Sequence, residues 1–150
     1  MISNERQYRI TKGQLERLRQ AVAEFDLKAA AEQIGSDRLA SAASQALRSE
    51  EEVLLSQLSE YESLRSGAIT DFAVSSLDEL PRMLIRARIA QHLTQRQLAE
   101  RVGVKEQQVQ RYEATEYSSA SLRRVLEIAA ALKLSLSVCQ TTQLVRGPSS

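Results

Sequence analysis

The 150-residue chain has few aromatics, no Trp and one cysteine, Cys139, which bounds it to one ordinary domain, or a small domain with an appendage, and excludes an intrachain disulfide. Ala, Leu, Gln, Glu and Arg dominate, a composition that favours helices throughout. Net charge is only +1, but residues 1–79 carry nine Lys/Arg against fourteen Asp/Glu and residues 80–133 carry ten against five, so an acidic half precedes a basic half suited to nucleic acid. No charged-then-apolar leader opens the chain, and no apolar run approaches the roughly 18–20 residues that span a bilayer. The expectation is a cytoplasmic protein without a membrane partner.

In chain order, residues 1–10 show no clear period. Thr11 with Gln14 has the form of a capping box, and Leu15, Leu18, Val22, Phe25 and Ala29 follow at spacings of three and four, which predicts a helix with one apolar seam to about Gln33. Gly35 and Ser36 break it. A second helix is predicted from near Asp37 to before Gly67, with Leu47, Leu54, Leu58, Tyr61 and Leu64 on one stripe and Glu50, Glu51 and Glu52 in its middle, at least one of them solvated. Two seamed helices joined by a short turn should close as an antiparallel hairpin, or be completed by a second subunit.

Residues 68–74 alternate weakly and are read as a linker with a short strand. Ser76 and Asp78 are both candidate N-caps for the next helix, Pro81 must sit in its first turn, and Leu84, Ile85, Arg88 and Ile89 carry it to about Gln91. Then comes the stretch around which the chain is organised, TQRQLAERVGVKEQQVQRY from Thr94 to Tyr112. Leu98, Ala99, Val102, Val104, Val109 and Tyr112 make two short helical patterns broken at Gly103, the signature of two helices meeting at a tight turn. Thr94 supplies a hydroxyl cap, Ala99 allows close crossing, and Gly103 can adopt the left-handed conformation that ends a helix. The second helix presents Glu106, Gln107, Gln110 and Arg111 away from Val109 and Tyr112, and amides with a guanidinium suit base edges in a major groove. A polar loop, EYSSA from Glu116 to Ala120, precedes a helix capped by Ser121. Leu134, Leu136 and Val138 then alternate with serines as a strand would, and residues 143–150 read as a flexible tail.

Residues 84–133, with LIRARIAQHLTQRQLAERVGVKEQQVQRYE followed by LRRVLEIAAAL, resemble the lambda-repressor-like, or Xre/Cro, family of DNA-binding domains. The resemblance implies a five-helix domain whose helix after the turn enters the major groove. By position it implies Lys105, Glu106, Gln107 and Arg111 as base readers, with Gln108 and Gln110 on the same short helix. It also implies Gln95, at the preceding helix start, as a phosphate or base contact and Tyr117, Ser118 and Ser119 after the motif as phosphate donors; Arg96 is among the arginines whose charge suits backbone phosphates. An ion pair between Arg88 and Glu113 is implied as a clamp. Three positions depart from the pattern: His92 stands where Gly is common, Ala114-Thr115 where Asn-Gly or Gly follows the glutamate, and Lys105 where Ser or Thr caps. NERQY and LLSQLSEYESLRSG in the first half are similar to the helical arm of host-inhibition antitoxins, which implies a protein toxin as an alternative partner.

A lone histidine and a lone distant cysteine make neither a metal site nor a nucleophile-base pair, the paired acids have no convergent partner, and the five glycines are scattered. The expectation is therefore no enzyme, no metal and no cofactor. The expected fold is all-α: a helical hairpin over 1–67, a linker over 68–77, a five-helix helix-turn-helix domain over 78–133, a strand over 134–142 and a tail over 143–150. The expected function is that of a sequence-specific DNA-binding regulator, a homodimer on double-stranded DNA that represses, with an antitoxin as the alternative.

Overall fold

A computed structural model of the chain describes residues 1–69, 72, 74 and 76–135. Asn4 starts the first helix, α1 (Glu5–Glu24), by accepting from the Gln7 amide, while the Gln7 side chain accepts from the Ser3 amide. The helix thus begins nearly two turns before the predicted Thr11 cap, and Thr11 lies buried inside it. These two side-chain bonds, at Asn4 and Gln7, outweigh the missing apolar period of the first ten residues. The predicted continuous helix to Gln33 is also corrected. Phe25 turns extended and the Asp26 carboxylate accepts from the Lys28 and Ala29 amides, capping a separate short helix, α2 (Leu27–Ile34). An Asp that bonds its own downstream amides offers the backbone an alternative to continuing the helix.

Gly35 at φ 72 closes α2, Ser36 caps α3 (Asp37–Ser66), and Gly67 at φ 76 closes α3, with its amide bonding back to the last turn. Left-handed conformations of this kind are open to glycine without a Cβ penalty. The helix α3 is long enough to take both α1 and α2 along its length. Glu5 pairs with Arg65, Tyr8 with Glu62 and Arg19 with Glu51: each step forward on α1 is an equal step back on α3, which fixes the two as antiparallel. Tyr8 and Tyr61 stack at 5.2 Å between them. Between residues 16 and 57 only Ala40 is fully buried, so the far end of the hairpin is thinly packed and its base is not.

The base is packed because it shares its core with the rest of the chain. Leu15, Leu58, Tyr61 and Leu64 join Leu84, Leu98, Val109 and Ile128 in one cluster, and Ile2, ahead of the first helix, is buried in it as well. Ile69 and Phe72 pack against the same cluster from the connection. Ala68, Ile69, Phe72 and Val74 are not in a strand, and the other positions of that predicted strand lie outside the described residues.

Ser76 caps a 3-10 turn (Leu77–Glu79) that runs into α4 (Leu80–Ala90), with Pro81 in its first turn, where its missing N–H costs nothing. Two short helices follow, α5 (Gln95–Val102) and α6 (Glu106–Ala114), then α7 (Leu122–Ala131). Between residues 77 and 131 there are thus four α-helices and a 3-10 turn rather than five helices. After α7, Lys133 turns left-handed at φ 55 and the Leu134 amide returns to Ala129, which closes the helical run. Leu134 and Ser135 are not in a strand; the remainder of the strand expected over 134–142, and the tail, lie outside the described residues.

Because Leu64 is fully buried where α3 meets the shared core, Leu64→Ala is expected to cost about 2–5 kcal/mol. In urea the hairpin and the C-terminal helices should lose structure in one shifted transition, monitored by far-UV circular dichroism and tyrosine fluorescence; two separated transitions would contradict a shared core.

Candidate nucleic-acid interface

The geometry of α5 and α6 follows from their ends. Thr94 Oγ1 accepts from the Gln97 amide at 3.1 Å and Gln97 Oε1 accepts from the Thr94 amide at 2.9 Å, a complete capping box. Leu98 and Ala99 point into the core, Gly103 at φ 75 ends α5, and the Val104 amide bonds back to Ala99. Lys105, at the N-cap of α6, has no side-chain acceptor; Gln108 compensates by accepting from the Lys105 amide at 3.2 Å. The departure from Ser or Thr therefore leaves half of a capping box, supplied from the third helical position. His92 ends α4 in a left-handed turn at φ 56, doing without the usual glycine.

Val109 and Glu113 turn α6 inward, and Glu113 is the centre of a buried polar clamp. Arg88 Nε and Nη2 donate to its two carboxylate oxygens at 2.6 and 2.7 Å, with the Arg88 side chain 3% and the Glu113 side chain 0% exposed. The guanidinium also donates to the Leu93 carbonyl at 2.8 Å and to the Ser3 carbonyl at 2.6 Å. Gln95 Nε2 donates to Glu113 at 2.7 Å, and Asn4 Nδ2 donates to Gln95 Oε1 at 3.5 Å. A bidentate pair with its remaining donors and acceptors satisfied is the arrangement in which two buried charges are tolerated. It ties α4, α5, α6 and the segment before α1 together. The part played by Ser3 and Asn4 was missed in the sequence; the signal was Asn4 with Gln7 three residues on, itself a cap signature.

The opposite face of α6 is open. Glu106, Gln107, Gln108, Gln110 and Arg111 are all exposed. Gln110 donates to Glu106 at 3.1 Å, while the Gln107 and Arg111 side chains have no partner among the described residues. Most of the domain's other arginines have a carboxylate nearby: Arg82 pairs with Glu116, Arg86 with Glu60 and Arg96 with Glu100, while Arg123 and Arg124 share Glu127. Arg101, Lys105 and Arg111, at the end of α5 and along α6, have no ion-pair partner among the described residues and are exposed. Apart from Lys133 and the Arg123/Arg124 pair that shares one carboxylate, the unpaired positive charge of this domain among the described residues lies around the turn and the second helix.

Not every sequence-predicted contact lies on that surface. Gln95 is only 8% exposed and its amide is committed to the clamp. Tyr117 is a correction: it is buried, stacked 6.2 Å from Tyr112, instead of standing in a polar loop. Glu116 and Tyr117 are both left-handed, at φ 45 and 59, and the Tyr117 amide bonds to the Tyr112 carbonyl. With no glycine after Glu113, this turn is held against its backbone strain by putting a tyrosine ring in the core. Ser118 and Ser119 remain exposed beyond it, bonded to the Thr115 carbonyl and hydroxyl. Among the described residues, no cluster of His, Cys, Asp and Glu could hold a metal and no helix is long and apolar enough to cross a membrane.

Two expectations follow from this interior. Glu113→Ala strands the Arg88 charge in the core and is expected to cost about 3–5 kcal/mol in urea unfolding. Burial, and secondarily the Glu113 carboxylate, push the Tyr117 phenol above its ordinary value of 10.0. A native pKa above the unfolded one means that its contribution is fully present below pH 10 and lost as pH rises beyond it. Its hydroxyl has no partner among the described residues, so Tyr117→Phe should leave neutral-pH stability unchanged or raised by up to about 1 kcal/mol. The same variant should flatten the loss above pH 10 in denaturation curves taken across that range.

A family model described as Helix-turn-helix matches residues 84–138. No curated protein matches the chain, and neither does a solved structure. Residues 84–138 are a helix-turn-helix domain of the lambda-repressor-like type, a DNA-binding class that regulates transcription and not an enzyme family.

Proposed function

We propose that the chain is a sequence-specific transcriptional regulator that places α6 in the major groove as one half of a homodimer and represses by occupying an inverted repeat, its own promoter included. The observation that supports this most is the open face of α6, with Gln107 and Arg111 unpartnered among the described residues beside the unneutralised Arg101 and Lys105. In this reading Arg111 takes a guanine edge, Gln107 and Gln110 take adenine edges, and Glu106 accepts from a cytosine amino group. Lys105, Arg96, Ser118 and Ser119 meet phosphates, while the buried Gln95 braces the start of α5 through the clamp. Gln108 serves the α6 cap, and Tyr117 supports the interface from within. One such helix reads only a few base pairs, so two copies on a two-fold axis, with half-sites about a helical turn apart, supply the affinity and selectivity. The hairpin over 1–67 is the arm that dimerises or takes a partner.

The second reading, an antitoxin that neutralises a toxin and autoregulates its operon, is favoured by one feature of α3. Val53 and Leu55 are exposed beside the exposed Glu50 and Glu52, a mixed apolar and acidic surface suited to a basic protein partner. A small basic protein encoded next to this chain, co-purifying through the hairpin, would favour it; an isolated regulatory gene would not.

The test of the main reading is an electrophoretic shift on the DNA just upstream of the start codon, with excess competitor. Arg111→Ala is expected to cost roughly 1–3 kcal/mol on the specific site and to relax preference at one position. An equal loss on every sequence would contradict its base-reading role, and no shift by folded protein would contradict autoregulation.

A further inference from the structure

The hairpin half of the sequence is acidic as a whole, but its two long helices divide the charge. Five basic residues stand against three acidic ones in α1, whereas α3 carries three against six. In α1 the side turned to α3 carries Tyr8, Thr11 and Leu15. The helical period puts Arg6, Arg9 and Arg17 on the opposite side. All three are exposed, and none has a hydrogen bond or ion pair among the described residues. Their neighbour Arg19, rotated toward α3, is paired with Glu51.

The clamp fixes where this helix begins. Asn4, which caps α1, touches Gln95, the first residue of α5, and the Ser3 carbonyl receives the Arg88 guanidinium. Arg6 therefore lies in the first turn of a helix that starts against the first residue of α5. At about 1.5 Å of rise per residue, Arg9 lies roughly 5 Å and Arg17 roughly 16 Å further along the axis. A duplex strand carries a phosphate about every 3.4 Å of its axis, so the row is on the scale of several successive phosphates.

We propose that the outward face of α1, through Arg6, Arg9 and Arg17, is a second DNA-contacting surface that holds the phosphate backbone flanking the segment read by α6. This rests on the helix-turn-helix reading above and extends its footprint onto the hairpin. The occupant is duplex DNA rather than an acidic protein because the stripe begins against α5, beside the helix that carries the groove-reading face.

The test is the salt dependence of binding by the full chain to a long random-sequence duplex, which needs no knowledge of the operator. Three proteins are compared by fluorescence anisotropy: wild type, Arg6→Gln/Arg9→Gln, and a control of equal charge change on α3, Arg38→Gln/Arg48→Gln. Each phosphate contact contributes about 0.9 to the slope of log K against log salt, so the α1 variant is expected to lose roughly two units while the α3 control keeps the wild-type slope. Thermal melts that match the wild type exclude misfolding of these surface variants. An unchanged slope in the α1 variant overturns the proposal while leaving the α6 reading intact. An equal loss in both variants also overturns it, as a diffuse field effect. No binding by the wild type overturns both this proposal and the function it rests on.

Discussion

The buried contact between Arg88 and Glu113 sets the geometry on which the helix-turn-helix domain depends. Each carboxylate oxygen and each guanidinium nitrogen has a partner, and those partners come from α4, the turn before α5, the start of α5, and the segment before α1. Charge in a core is tolerated only when it is satisfied in this way. The consequence for function is directional. Glu113 and Val109 are held inward, which forces Gln107, Gln110 and Arg111 to the outside of a helix only nine residues long, with Glu106 exposed at its first residue. The surface available to a groove is thus determined by what is locked behind it.

A second consequence concerns the hairpin. Antiparallel pairing of α1 and α3 would, by itself, make an appendage. Instead Ile2, Leu15, Leu58, Tyr61 and Leu64 enter the same core as Leu84 and Val109, and Arg86 reaches across to Glu60. The hairpin therefore has a rigid base and a sparsely packed far end, where α2 has no buried residue and Leu27, Ile34 and Leu39 are exposed. A graded stability of this sort places the most adaptable surface furthest from the groove-reading helix.

How much of this was legible varies with the kind of signal. The glycines at 35, 67 and 103, the cap at Thr94 and the proline at 81 mark helix ends through local chemistry, and those ends are where the sequence places them. The outward face of α6 follows from its period. The start of α1 and the break at Asp26 were not legible from periodicity, because short side-chain-to-amide bonds there override an apolar pattern that is absent in one case and continuous in the other. Tyr117 read as a surface residue because non-glycine left-handed turns leave no compositional mark. The clamp was anticipated only as a pair, through family resemblance; its carbonyl partners belong to backbone and are invisible to any reading of side chains.

That last point bears on how the two halves are joined. The Arg88 bond to residue 3 ends on a main-chain oxygen, so it is indifferent to the side chain at that position. What it requires is that the chain pass there at the right height, with the buried Ile2 on one side and the Asn4 cap on the other holding it in place. The junction is thus specified by its two neighbours and not by the residue that makes it. Substitution at position 3 leaves the acceptor in place, whereas a one-residue insertion or deletion between Ile2 and Asn4 would move it out of reach.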